Sequence, residues 1–284
     1  MALALGLVGC AAPDAASDRR RGDAGDAGDD AQRFVQVRAG GAGTCALDDT
    51  GAVGCWAGGL ASRPGPYVEI DVGYRHACAR TPDARVECWG EDEEGSTVPP
   101  AGTFDRVRAA HDLSCALEGT RGRCWGSNRW ERADVPDVAL AELEPGWGHT
   151  CGIEPGGAAR CWGNVEAAPP PPAGPLRGLT VGDSHACALD AAGLARCWGS
   201  GPQASSPPPP VPFSSVTAGA LHTCGLTGDG TVSCWGEDTF GQSTPPSGRF
   251  VSVDAGTYHT VALTAEGRVV SFGLFTEGRP AGGE

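Results

Sequence analysis

Thirteen cysteines and six histidines are the residues of this chain best suited to chemistry, and their spacing narrows which chemistry is open to them. Twelve of the cysteines fall into six pairs: Cys45 and Cys55, Cys78 and Cys88, Cys115 and Cys124, Cys151 and Cys161, Cys187 and Cys197, Cys224 and Cys234. The eight or nine residues between partners are too many for a zinc knuckle, whose gap is about 2–4 residues. Five histidines, His76, His149, His185, His222 and His259, stand two places before the first position of a pair. His259 persists where Val261 and Ser271 replace both cysteines, so histidine and cysteine do not act as one ligand set. His111 is the one histidine off this pattern. No nucleophile–base pair, phosphate-cradling loop or metal-ligand cluster can be picked out. The sequence therefore assigns no catalytic residue, no metal and no cofactor, and the chain reads as a non-enzyme.

Hairpins position the cysteines. In the sixth pair, His222 to Leu226 and Thr231 to Trp235 flank Thr227-Gly228-Asp229-Gly230, a turn-forming cluster between two runs that alternate in character. Cys224 and Cys234 lie symmetrically about Asp229 and so face each other, as Cys45 and Cys55 do about Thr50. One turn residue is missing between Cys115 and Cys124, yet the tighter loop keeps them opposed. A disulfide within each hairpin also accounts for the seventh copy losing both partners together. On the chain-entropy model each bond is worth at most roughly 2.5–3 kcal/mol, because it closes only a short loop.

Cys10 is left over. Residues 1–9 form an apolar run too short to span a bilayer, and Leu7-Val8-Gly9-Cys10 resembles a bacterial lipobox, whose cysteine is lipidated. No basic residue precedes it, whereas an export signal normally opens with one. Residues 11–33 are rich in Asp, Gly and Ala and too poor in apolar side chains to fold, so they read as a solvated tether. The expected order is anchor (1–10), tether (11–33) and folded domain (34–284). The expected location is the outer membrane, cell surface or periplasm, with membrane contact only through the lipid. A formal charge of −14, with Arg supplying every basic residue, repels phosphate backbones and argues against nucleic acid.

The domain is built of repeats. An aromatic-x-x-V-x-A-G phrase, then H-T-C-A-L, a turn and C-W-G, recurs so that successive first cysteine positions lie 33 to 37 residues apart. A seventh copy begins at Phe250. About 36 residues suffice for four short strands, the fourth in the Pro-rich connector, and small antiparallel sheets in such number close as propellers. With 45 Gly and 23 Pro, the composition suits short strands and tight turns. The expectation is an all-β, seven-bladed β-propeller. The phrase resembles the repeat of the regulator of chromosome condensation family, most closely at Ala218-Gly219, His222-Thr223, Leu226, Asp229-Gly230, Val232, Trp235-Gly236 and Gly241-Gln242. That resemblance implies seven blades over residues 34–284. The chain departs from the family by shorter repeats and by its cysteine pairs. It is more distantly similar to the secreted propeller-type β-lactamase inhibitors.

Residues that repeat should build the ring. Trp56, Trp89, Trp125, Trp162, Trp198 and Trp235, with Phe272 in the last copy, are expected to pack between blades, and the motif histidines to brace turns. Function belongs where copies differ. The connectors after W-G carry Glu91, Asp92, Glu93 and Glu94 in one copy, Arg129 and Trp130 in another, and Glu237, Asp238 and Phe240 in a third; Trp147 is a further aromatic off the motif. These are the candidate binding residues, and the proline tracts 169–172 and 207–210 read as rigid connectors. The expected function is binding or scaffolding of a protein or glycan at the bacterial envelope by a monomer. Inhibition of a secreted enzyme and action on polysaccharide are the alternatives. Peptide mapping without reduction should recover the six pairs named above and no link between repeats; a cross-repeat disulfide would refute the hairpin assignment.

Overall fold

The computed structural model describes residues 32–41, 43–164, 170–201 and 206–274. Cys10, the lipobox, most of the tether and Pro169 lie outside them. The folded residues form seven three-stranded antiparallel sheets, each a simple meander. They occupy residues 34–57, 69–90, 106–126, 142–163, 177–199, 213–236 and 252–273, called blades 1 to 7 below. In blade 6 the inner strand is Phe213–Ala218, the middle strand His222–Thr227 and the outer strand Val232–Gly236. Gly230 closes the outer hairpin at φ 85°, a conformation that costs a residue without Cβ nothing.

Strand register follows the cysteines. In blades 1 to 6 the paired cysteines are directly opposed across the middle and outer strands, and all six pairs are bonded. In blade 7 Val261 faces Ser271 at the same place. The expected fourth strand does not form among the described residues. The connector of blade 1 makes only an isolated bridge between Val53 and Arg63, and the tract at 207–210 is unpaired. Prolines lack the N–H that a ladder needs.

The core is divided among the blade interfaces. Trp89 packs with Cys45, Leu47 and Val53 of blade 1, Trp125 with Cys78 and Val86 of blade 2, and Trp162 with Cys115 and Leu117 of blade 3. Trp198 meets Cys151 and Ile153 of blade 4, and Trp235 meets Leu189 and Ala195 of blade 5. The same pattern closes the ring, because Trp56 and Val37 of blade 1 pack on Val261 and Leu263 of blade 7. Each large side chain buried in this way contributes about 1.5–3 kcal/mol.

A buried polar pair runs beside this packing. The Nε2 atoms of His76, His185, His222 and His259 lie 2.8–2.9 Å from Ser114, Thr223, Thr260 and Thr44 of the following blade. Ser114 donates its own proton to the Ser96 carbonyl, and Thr260 donates to that of Gln242. His222, whose Nδ1 has no hydrogen-bond partner among the described residues, must therefore donate through Nε2. Burial pushes the pKa of these four rings, and of His149, down to about 3 to 4, so they are neutral at pH 7. The pairing is absent at three interfaces, two of them because Gly43 of blade 1 and Leu113 of blade 3 stand where the histidine would be. At the third, His149 meets blade 5 where Ala186 replaces the hydroxyl residue, and neither of its ring nitrogens has a hydrogen-bond partner among the described residues. In chemical denaturation, His222→Leu is expected to cost about 1 kcal/mol or more, whereas His149→Leu should leave stability unchanged or raise it; equal losses would show that His149 is satisfied like the others.

Candidate functional site

The inner strands surround an axial cavity of about 380 Å3. The variable residue of V-x-A-G projects toward this axis in each blade, giving a ring of Arg38, Asp71, Arg108, Glu144, Thr180, Thr217 and Asp254. These residues link neighbouring blades. Asp71, Thr180, Thr217 and Asp254 accept from the backbone N–H of Ala109, Ala218, Ala255 and Ala39, each in the next blade. Where the ring residue is Arg, it reaches the next blade's carboxylate instead: Arg38 to Asp71 at 3.1 Å and Arg108 to Glu144 at 2.6 Å. Arg108 also holds Glu69 at 2.8 Å. Between blades 4 and 5, Glu142 accepts from the N–H groups of Gly178 and Leu179.

Desolvation dominates the electrostatics here. Burial lifts Glu144 to about 7 against the pull of Arg108, and lifts Asp254 to about 6 against that of Arg38. Asp71 is also raised by burial, opposed by Arg38 and Arg108. The lining holds four carboxylates, Asp71, Glu144, Asp183 and Asp254, against the two guanidiniums of Arg38 and Arg108.

One end of the cavity is framed by the turns between inner and middle strands. Their A-G glycines approach the next blade so closely that a Cβ on Gly40, Gly146, Gly182, Gly219 or Gly256 would collide with a glycine carbonyl of that blade. The glycines of W-G work differently, sitting at positive φ, as Gly90 does at 117° and Gly236 at 103°. Backbone bonds run from turn to turn around the rim: Gly41 N–H to Gly73, Tyr74 to His111, Asp183 to Ala220, Ala220 to Gly256 and Thr257 to Gly40. At blade 4 a side chain takes over. Arg132, only 1% exposed, donates to the carbonyls of Gly146 and Trp147 and to the carboxylate of Asp112.

This irregular sector carries the exposed aromatics. Tyr74 stacks on His111 with centroids 5.3 Å apart, Trp147 tilts against His111 at 6.2 Å, and Trp130 meets Trp147 edge-on at 5.3 Å. His111 Nε2 lies 3.0 Å from Asp183, tying blade 3 to blade 5 across the mouth. His111 and Trp130 take positive φ, at 45° and 61°, costly for residues with a Cβ and typical of places held by their surroundings. The opposite sector has small residues at the same level, Gly41, Ala220 and Thr257.

The connectors after W-G return to this end, since their first N–H groups bond the turn carbonyls: Glu91 to Arg75, Ser127 to Asp112, and Glu237 to Leu221. The candidates from the variable connectors and Trp147 therefore share one face, in two groups. On blades 2 to 4, Glu91 pairs with Arg75 at 2.9 Å, Glu93 and Glu94 are exposed, and Arg129 lies over the Trp130 ring at 5.2 Å. On blades 6 and 7, Phe240 meets Tyr258 edge-on at 5.6 Å, and Glu237 is half-buried. Asp92 and Asp238 have a local task, accepting from the N–H of Thr97 and Ser243 to close their connector turns. Sequence reading missed Tyr74, Asp183, Arg132 and Tyr258, and the entire axial ring. The signal was the changing residue inside V-x-A-G and just after it.

Seven like sheets around an axial channel make the chain a β-propeller. Residues 213–242 and 250–279 match the family model for the Regulator of chromosome condensation (RCC1) repeat, so the last two blades are similar to that repeat. No curated protein matches it in sequence. Among solved structures it is similar to the CRINKLY WD40 ectodomain of the Arabidopsis thaliana receptor kinase ACR4, at 22% identity and TM-score 0.71, covering 86% of this chain and 96% of that one. The ectodomain of the Physcomitrella patens receptor kinase CR4 is 24% identical with TM-score 0.73, covering 87% and 74%. Prp20p of Saccharomyces cerevisiae is 15% identical with TM-score 0.68, covering 88% and 84%. At these identities the likeness is one of fold. Replacing Arg132 with Met should lower stability by about 3 kcal/mol or more, because Asp112 and two rim carbonyls lose a buried cation; a denaturation midpoint near wild type would show that the rim at blade 4 holds without it.

Proposed function

We propose that the chain is an exported, non-enzymatic binding scaffold that recognises a protein or glycan through the face bearing the channel mouth. The observation that carries this reading is the gathering of exposed Tyr74, Trp130, Trp147, Phe240 and Tyr258 on that single face. Large aromatics beside Arg are the usual anchors of recognition surfaces, and here a rigid ring holds them in place without an ordering cost on binding. Binding is also the property described for one relative of the same fold, since yeast Prp20p has been characterised for binding Gsp1p and histones. Six disulfides suit an oxidising compartment, and lipidation at Cys10 would hold the ring at the envelope.

Inhibition of a secreted enzyme is a special case of the same reading, in which the partner's active site docks on this face. The test is affinity capture from envelope and culture fractions with the full chain, beside a variant carrying Trp130→Ala and Trp147→Ala. A stoichiometric partner held by the parent and lost by the variant is expected. Capture that is indifferent to the variant, or turnover of a polysaccharide panel by the purified chain, would overturn the proposal.

A further inference from the structure

The axial cavity offers a more specific site than the face as a whole. We infer that the aromatic sector of the mouth and the cavity beneath it form a receptor for one cationic side chain, Lys or Arg, presented by a protein partner. This rests on the binding reading above and names the chemistry of the group recognised.

Three observations carry it. The rim is asymmetric: Tyr74, His111 and Trp147 wall one side, while Gly41, Ala220 and Thr257 leave the other side low. Trp147 is 43% exposed, so its ring is available to a cation, which is drawn to the negative face of an aromatic ring; Tyr74, stacked on His111 and already carrying the Arg75 guanidinium at 5.8 Å, serves as the wall beside it. Below the rim the ring sets three carboxylates, Asp71, Glu144 and Asp254, against two guanidiniums, and Asp183 adds a fourth carboxylate at the mouth, where it faces His111. Arg38 and Arg108 are already bound, to Asp71 and to Glu69 with Glu144. A third positive charge would therefore compensate the ring rather than compete within it. The cavity, about 380 Å3, admits an extended aliphatic stem with its charged end toward Glu144 and Asp254. A glycan would use the same aromatic walls but would gain little from uncompensated carboxylates, and an anion would be repelled.

The partner is a protein because the rim around the cavity can hold main chain as well as a side chain. Trp130 stands behind Trp147, and Glu91 and Glu93 lie beside Tyr74, so a basic segment would find contacts on both sides of the inserted residue. The experiment uses the full chain, with tryptophan fluorescence and calorimetry as readouts. The probes are the peptide acetyl-Gly-Ser-Lys-Ser-Gly-amide, the same peptide with its lysine Nζ-acetylated, and n-butylammonium. The lysine peptide should saturate, weaken on raising salt, and bind at least about tenfold more tightly than the acetylated peptide, because acetylation removes the charge. Trp147→Ala and Glu144→Gln should each weaken it at least about fivefold, while Trp147→Phe, which keeps a ring, should retain most of the affinity. Circular dichroism confirms that each variant is folded, and Trp147→Ala, at an exposed position, tests the site even where Glu144→Gln disturbs the ring. Equal binding of the acetylated peptide, or full affinity in Trp147→Ala, overturns the cation site. Butylammonium binding as tightly as the peptide overturns the protein source. Failure of these probes with a partner still captured through the aromatic face would leave the scaffold reading standing and remove only the cation receptor.

Discussion

At the axis of the ring, backbone touches backbone. The turn glycines of five blades leave no space for a Cβ, and the amide one place further along the turn donates to a carbonyl of the next turn in five of the blades. Everything farther out inherits that approach. Sheets brought so close at their inner edges diverge toward the outside, and the widening gap must be filled by something large at the outer strand. The tryptophan of C-W-G fills it, against the disulfide and aliphatics of the preceding blade. The amides next to the glycines face the preceding blade, and at four interfaces that blade's axial residue accepts from them. A single spacing constraint thus sets the glycine, the axial ring and the tryptophan together.

The division of the core explains the cysteines. Each interface holds only a handful of large apolar side chains, with alanines such as Ala77, Ala116 and Ala186 at its centre. Small cores bury too little surface to define a blade strongly. The disulfides tie middle to outer strand within a blade and leave the interfaces to packing and to the histidine–hydroxyl pairs. Blade 7 does without its bond, with Val261 and Ser271 in the two places and Val261 packed against Val37 and Leu263. There an aliphatic core replaces the covalent one.

The repeat, the blade number and the cysteine partners were legible because each is written many times, and a pattern copied six or seven times outweighs local noise. The role of the W-G and A-G glycines was legible only as a pair of alternatives; positive φ serves one and close approach the other, which a letter cannot distinguish. The fourth strand was wrongly expected because length alone permitted it, while proline removed the N–H groups it needed. The site was legible in part. Trp130, Trp147 and Phe240 stood out as departures from the motif, whereas Asp92 and Asp238 look like ligand residues but close their own turns. Arg38, Asp71, Arg108, Glu144 and Asp254 sit inside the motif at a position that tolerates any polar side chain, and only ring closure makes them neighbours. Arg132 was invisible for a different reason: its partners lie in two separate turns, those of blades 3 and 4, brought together by the irregular rim.

The contact between blade 7 and blade 1 uses parts that recur at other contacts in the ring: Thr44 with His259, Ala39 with Asp254, Thr257 with Gly40, and Trp56 at the gap. No strand crosses from one end of the chain to complete a sheet begun at the other, for blade 1 is wholly drawn from residues 34–57 and blade 7 from 252–273. The seam is therefore not a special place. Rotating the reading frame of the polypeptide around the ring, so that it starts at another blade, would present the same surfaces to one another in the same cyclic order. The circle is the structural unit, and the point at which the polymer happens to be open is incidental to it.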